Sequence, residues 1–67
     1  MMCFARKLRE LRKIAGLTQI QLAWRAQLSV SLVTKLEQGN IKDPKWSTVR
    51  KLATVLGVKT DVFVPEK

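Results

Sequence analysis

Two sets of helix-start signals follow one another within a short stretch of this chain, and they restrict its fold more than any other feature. In Leu17-Thr18-Gln19-Ile20-Gln21-Leu22, Thr18 can cap a helix with its side chain and Gln21, three residues on, can reach back to complete a capping box. Leu17 and Leu22 supply the apolar pair that staples such a start. The pattern begins again at Leu28-Ser29, with Ser29 as cap and Leu28 paired with Val33. A helix confined between two starts is short, about Gln19 to Ala26. It must be joined by a very tight turn to the next, about Val30 to Gln38, which Gly39-Asn40 ends. The sequence form is therefore two short helices with a tight turn between them.

The flanking segments are helical as well. Phe4, Leu8, Leu11 and Ala15 recur at steps of four, three and four, the spacing of one helix face, and Gly16 stops the pattern in a position suited to a left-handed backbone. After the loop Ile41-Lys42-Asp43-Pro44, a further helix carries Trp46, Val49, Leu52, Ala53 and Leu56 on one face and ends at Gly57. Its start is open: Ser47 is the better cap chemically, whereas Trp46 belongs to the same stripe. A last short turn spans about Thr60 to Val64 before Pro65. No repeat, strand alternation or low-complexity tract interrupts this order. The expected fold is all-α, five helices in one domain over residues 1–67, with the paired short helices at about 18–38.

Composition narrows the function. The chain has 67 residues, with 13 Lys plus Arg against 5 Asp plus Glu, no histidine and one cysteine, for a formal charge of +8. A domain this small buries only about 60% of the surface its unfolded chain exposes, which leaves no room for a second domain. Without histidine there is no His-based acid–base pair or nucleophile activation, and one cysteine supplies neither a zinc site nor an internal disulfide. No enzyme, cofactor or metal is expected. The single Cys3, an N-terminus already charged at Arg6-Lys7 and the lack of any apolar run near the ~20 residues of a bilayer span point to a cytoplasmic protein with no membrane role.

The charge is uneven along the chain. Arg6, Lys7, Arg9, Arg12 and Lys13 face only Glu10 in residues 1–15, and Lys35, Lys42, Lys45, Arg50 and Lys51 outnumber Glu37 and Asp43 in residues 35–51. Val58 to Val64 instead has no net charge, Lys59 offsetting Asp61, and is largely apolar. A net charge of this size makes a polyanion the expected partner class. On the third helix, an advance of about 100° per residue gathers Leu32, Val33 and Leu36 on one side and turns Val30, Ser31, Thr34, Lys35 and Gln38 away. Hydroxyls, an amide, an ammonium group and a valine methyl suit base edges in a DNA groove, although any surface helix is polar outside.

Residues 8–64 resemble the lambda-repressor-like family of helix-turn-helix transcriptional regulators, the phage repressor and Cro or xenobiotic-response-element type. The matching run is Leu-Arg-x-Leu-Arg (8–12), Gly-Leu-Thr-Gln (16–19), Leu-Ala (22–23), Ser29, Lys-Leu-Glu-x-Gly (35–39), Pro44, Lys-Leu-Ala (51–53) and Leu-Gly-Val (56–58). The resemblance implies a compact five-helix DNA-binding domain, whose third helix lies in the major groove while the second crosses the backbone. By it, base-reading positions fall on Val30, Ser31 and Lys35, with Thr34 and Leu32 at the margin. Gln19 falls on a phosphate-holding position at a helix N-terminus. Gln38, Asn40, Lys42 and Lys45 fall on positions flanking the phosphate backbone. Arg12 and Glu37 correspond to a structural ion pair that turns Arg12 toward a phosphate, and their helical angles put each at the margin of its apolar stripe.

The departures from that pattern are informative. Gln27 stands where relatives usually carry glycine, so a non-glycine residue is expected to take positive φ there. Val30 and Leu32 are apolar for a reading helix, and Lys59 replaces a small cap before the last helix, which is expected to fray. Ile20 and Trp24 sit one turn apart on the side of the second helix opposite Leu22, Ala23 and Ala26. They form either a contact patch or a pair without function, or they pack on the N-terminal arm. Val58, Val62, Phe63 and Val64 form either a dimer surface or the closure of the core.

The expected function is a sequence-specific DNA-binding transcriptional regulator, a small homodimeric repressor that binds a double-stranded operator. The alternative is an antitoxin-like or co-regulator protein that uses the same fold mainly to bind a small protein partner, with Ile20 and Trp24 as the contact.

Overall fold

A computed structural model describes residues 4–41 and 43–63. Lys42 and Val64, both given roles above, lie outside the described residues. The described residues form four α-helices, α1 (Phe4–Ile14), α2 (Gln19–Ala26), α3 (Val30–Gln38) and α4 (Trp46–Leu56), followed by a 3-10 turn (Thr60–Phe63). No strand occurs among the described residues. The fifth element is thus a single 3-10 turn, closed by the Val62 N–H on the Lys59 carbonyl at 3.1 Å. Four residues are too few to propagate an α-helix.

The boundaries of α2 follow from its caps. Thr18 Oγ1 accepts from the Gln21 N–H at 3.1 Å, and Gln21 Oε1 accepts from the Thr18 N–H at 2.9 Å, so both arms of the capping box are closed. Gln27 ends the helix at φ 59°, ψ 42°, the left-handed conformation expected where relatives carry glycine. The Leu28 N–H then reaches back to the Ala23 carbonyl at 2.8 Å, which turns the chain directly into the next start. There Ser29 Oγ accepts from the Leu32 N–H at 3.0 Å. α4 begins at Trp46 with Lys45 at the cap position and no side-chain cap bond, so Ser47 lies inside the helix.

Leu8, Leu17, Leu22, Ala23, Ala26, Val33, Leu36 and Leu52 form one buried cluster. α3 lies against both α1 and α2, α2 also against α4, and the 3-10 turn bridges α1 and α4. Phe63 tilts against Phe4 with ring centroids 5.0 Å apart, closing the open end of that cluster. The stripe of α1 differs from its sequence expectation: Ala5 is buried and Ala15 is exposed. Ala5 is covered by the end of α3, where a Cβ added at Gly39 would lie 3.9 Å from its own, whereas Ala15 lies past the last residue of α1. Trp46 departs from the α4 stripe and is 54% exposed. As the first helical residue it leans toward the N-terminus, off the end of the packed face.

Candidate nucleic-acid interface

α3 is anchored by burial of Val33 and Leu36, with Leu32 half-buried. Those three define the inward side. The opposite side presents Val30, Ser31, Lys35 and Gln38 exposed and Thr34 half-buried, a face with one cation and no anion.

One edge of that face is tied to α1 and α2 by a connected set of hydrogen bonds. Arg12 Nε donates to Glu37 Oε2 at 2.6 Å and Arg12 Nη2 to Glu37 Oε1 at 3.1 Å, a two-pronged ion pair. Arg12 Nη1 donates to the Leu17 carbonyl at 2.8 Å, which ties the pair to the loop before α2. Gln19 Nε2 donates to Glu37 Oε1 at 3.0 Å, and Gln19 Oε1 accepts from the Thr34 hydroxyl at 3.2 Å. The side chains of Arg12 and Glu37 are only 12% and 3% exposed. Burial of charges to this degree requires that each be paired and hydrogen-bonded, and every polar atom of the pair reached by a donor or acceptor here lowers that cost.

The remaining residues with sequence-derived roles fall at several places around α3. Gln38 Oε1 accepts from Asn40 Nδ2 at 3.0 Å, so these two form a small amide pair at the C-terminal end of α3. Lys45 is exposed at the cap of α4, beyond the loop. Gln19 opens α2, where the first helical N–H groups lack intrahelical acceptors and carry the positive end of the helix dipole. Arg12, Gln19 and Thr34 therefore share one network, whereas among the described residues no side-chain hydrogen bond joins Gln38, Asn40 or Lys45 to it.

The apolar candidates separate in the same way. Ile20 is 64% and Trp24 85% exposed, on the side of α2 away from its buried Leu22, Ala23 and Ala26. Val62 is 39% exposed and Val58 half-buried, while the ring of Phe63 is occupied by Phe4. Sequence reasoning missed the exposure of Ile14, at 81%. Its helical angle could have revealed it, since it lies well off the line of Phe4, Leu8 and Leu11. It also missed the Gln19–Thr34 bond, for which no one-helix pattern gives a signal. Among the described residues no three His, Cys, Asp or Glu side chains gather as a metal site would require, and no helix is long and apolar enough to cross a membrane.

Comparison with known sequences fits this geometry. A sequence model described as a helix-turn-helix domain matches residues 4–63. HigA2, a candidate antitoxin of Mycobacterium tuberculosis, is 40% identical over 58 residues, which is 87% of this chain and 57% of the relative. RghRB of Bacillus subtilis, named as an uncharacterized HTH-type transcriptional regulator, is 44% identical over 55 residues, 82% of this chain and 40% of the relative. The chain thus spans about half the length of the relatives it matches.

Proposed function

The chain belongs to the helix-turn-helix domain family, and on that premise we propose that it is a sequence-specific DNA-binding transcriptional regulator, a small repressor that acts as a homodimer. Residues 1–67 serve as one DNA-binding domain with the helix-turn-helix at about 18–38, and the 3-10 turn stands in for the fifth helix of the repressor-type architecture. α3 enters the major groove. Val30, Ser31, Thr34 and Lys35 meet base edges, with Lys35 suited to guanine O6 and N7. Arg12, the N-terminus of α2 at Gln19, Gln38, Asn40, Lys42 and Lys45 meet the phosphates on either side.

The observation that most supports this reading is the hydrogen-bonded edge just described. Arg12 and Gln19 are held beside the outward face of α3 by Glu37 and Thr34, so one rigid unit presents phosphate-seeking and base-seeking groups together. The net charge of +8 supplies the general attraction. Because one α3 spans only a few base pairs, two copies related by a two-fold axis are needed to meet half-sites about 34 Å apart. Val58 and Val62, on the weakly charged C-terminal segment, are the proposed dimer surface.

Titration of duplex DNA against the chain at several salt concentrations tests the proposal. Log affinity should fall linearly with log salt, with a slope of about 0.9 for each phosphate engaged. Lys35→Ala should remove discrimination between sites more than it removes overall affinity. Affinity that does not change with salt would contradict the reading.

The exposed Ile20–Trp24 pair and the antitoxin name of one relative favour a second reading, in which the same domain also grips a protein partner. A partner that co-purifies with the wild type and is lost on Trp24→Glu, with DNA affinity kept, would support it. Silence of Trp24→Glu in both assays would leave the first reading alone.

A further inference from the structure

The hydrogen bonds around Gln19 determine how much of its hydrogen-bonding capacity Thr34 has left to offer DNA. We infer that Thr34 is an acceptor-only reader, one that selects an amino-bearing base, adenine or cytosine, on the strand it faces. The inference rests on the reading of α3 as the base-contacting helix.

Glu37 fixes the direction of these bonds. An ionised carboxylate only accepts, so the Gln19 amide must turn its Nε2 toward Glu37 Oε1, at 3.0 Å. The amide oxygen then faces Thr34. It too can only accept, so the hydroxyl hydrogen of Thr34 is committed to it at 3.2 Å. Reversing the amide would set oxygen against carboxylate, losing the Glu37 bond and turning the Thr34 hydroxyl into an acceptor. Glu37 cannot yield to such a reversal, because Arg12 Nε and Nη2 hold its two oxygens at 2.6 and 3.1 Å.

A hydroxyl has one hydrogen to give and two lone pairs to receive with. Gln19 has taken the hydrogen, so the half-buried Thr34 Oγ1 turns only lone pairs outward. In the major groove adenine N6 and cytosine N4 donate, whereas guanine O6 and N7 and thymine O4 accept. Thr34 can therefore bond to adenine or cytosine and meets lone-pair repulsion at guanine or thymine. Lys35, the next residue, has the opposite sense, with donors alone. Gln19 acts here as a positioning residue, because it sets what Thr34 can recognise.

Selection of bound duplexes from a random pool, run with the wild type, Thr34→Val and Gln19→Met, tests this. The wild type should enrich sites with one position per half-site that admits adenine and cytosine on the same strand and excludes guanine and thymine. Thr34→Val should lose the preference at that position alone. Gln19→Met should widen it to all four bases, since the freed hydroxyl can then donate. In an enriched site with adenine there, replacing that base by purine without the 6-amino group should weaken wild-type binding roughly two- to tenfold, the range of one hydrogen bond, and should leave Thr34→Val unaffected. A wild-type preference for thymine, read through the threonine methyl, or for guanine would overturn the inference, as would a Thr34→Val profile identical to the wild type. A wild type that enriches no site at all would instead overturn the base-reading premise, and the inference with it.

Discussion

Glu37→Gln perturbs the structure at the point where three helices depend on one carboxylate. In the wild type Oε2 accepts from Arg12 Nε at 2.6 Å, and Oε1 accepts from Arg12 Nη2 at 3.1 Å and Gln19 Nε2 at 3.0 Å. A glutamine there has one oxygen for these three donors. Whichever way its amide turns, an NH2 group faces either Arg12 Nε or the Arg12 and Gln19 donors together. The guanidinium, 12% exposed, then keeps the Leu17 carbonyl and part of one partner. Breaking a buried ion pair by removing one member costs about 3–5 kcal/mol. The retained acceptor and the Leu17 contact reduce that to about 2–3 kcal/mol, the scale of one charge-assisted hydrogen bond. For a domain of this size each kcal/mol moves the melting temperature by about 4–8 °C, so a fall of about 10–20 °C is expected. Thermal unfolding followed by circular dichroism measures it directly. The double variant Arg12→Met with Glu37→Gln should be less unstable than the sum of the single variants, because removing both charges leaves neither unpaired. A fall of less than about 4 °C for Glu37→Gln, or strict additivity in the double variant, would refute the reasoning.

Three further outcomes follow from the backbone and the caps. Gln27 sits at φ 59°, where a non-glycine residue costs about 1–2 kcal/mol and glycine's extra chain entropy returns part of that. Gln27→Gly should therefore raise stability by about 0.5–1 kcal/mol, and an unchanged or lower denaturation midpoint would count against a strained turn. Thr18→Ala removes the cap on the Gln21 N–H and should cost about 1 kcal/mol in chemical denaturation, whereas Ser47→Ala, inside α4, should cost less than half of that. Trp24→Glu, at 85% exposure, should change stability by no more than about 0.5 kcal/mol, and a larger loss would mean that the indole packs on the fold after all.

Much of this architecture is legible in the chain because its signals are local. Thr18, Gln21 and Ser29 cap through atoms within three residues, so the boundaries of α2 and α3 can be read without tertiary information. The positive φ of Gln27 is legible only through the family resemblance, because relatives usually carry glycine there. Properties that depend on how helices cross are not legible in this way. Ala5 is buried because the end of α3 packs on it, and Trp46 is exposed although Val49, in the same turn of α4, is buried. Helical angles turn Arg12 and Glu37 toward the margins of their stripes, but they say nothing of Gln19. Only the fold brings its amide between Glu37 and Thr34, which makes it the link between two helices as well as a candidate phosphate contact.

The proposed function makes the outward face of α3, with the N-terminus of α2 and Arg12 beside it, the surface that meets DNA. Backbone amide shifts recorded by NMR during titration with a selected duplex test it most directly. The changes should centre on Ser31, Thr34, Lys35 and Gln38, extend to Gln19 and Arg12, and fade toward Trp24 and the middle of α4. Changes centred on Ile20 and Trp24, or on Arg25, Arg50 and Lys51, with α3 undisturbed, would contradict it.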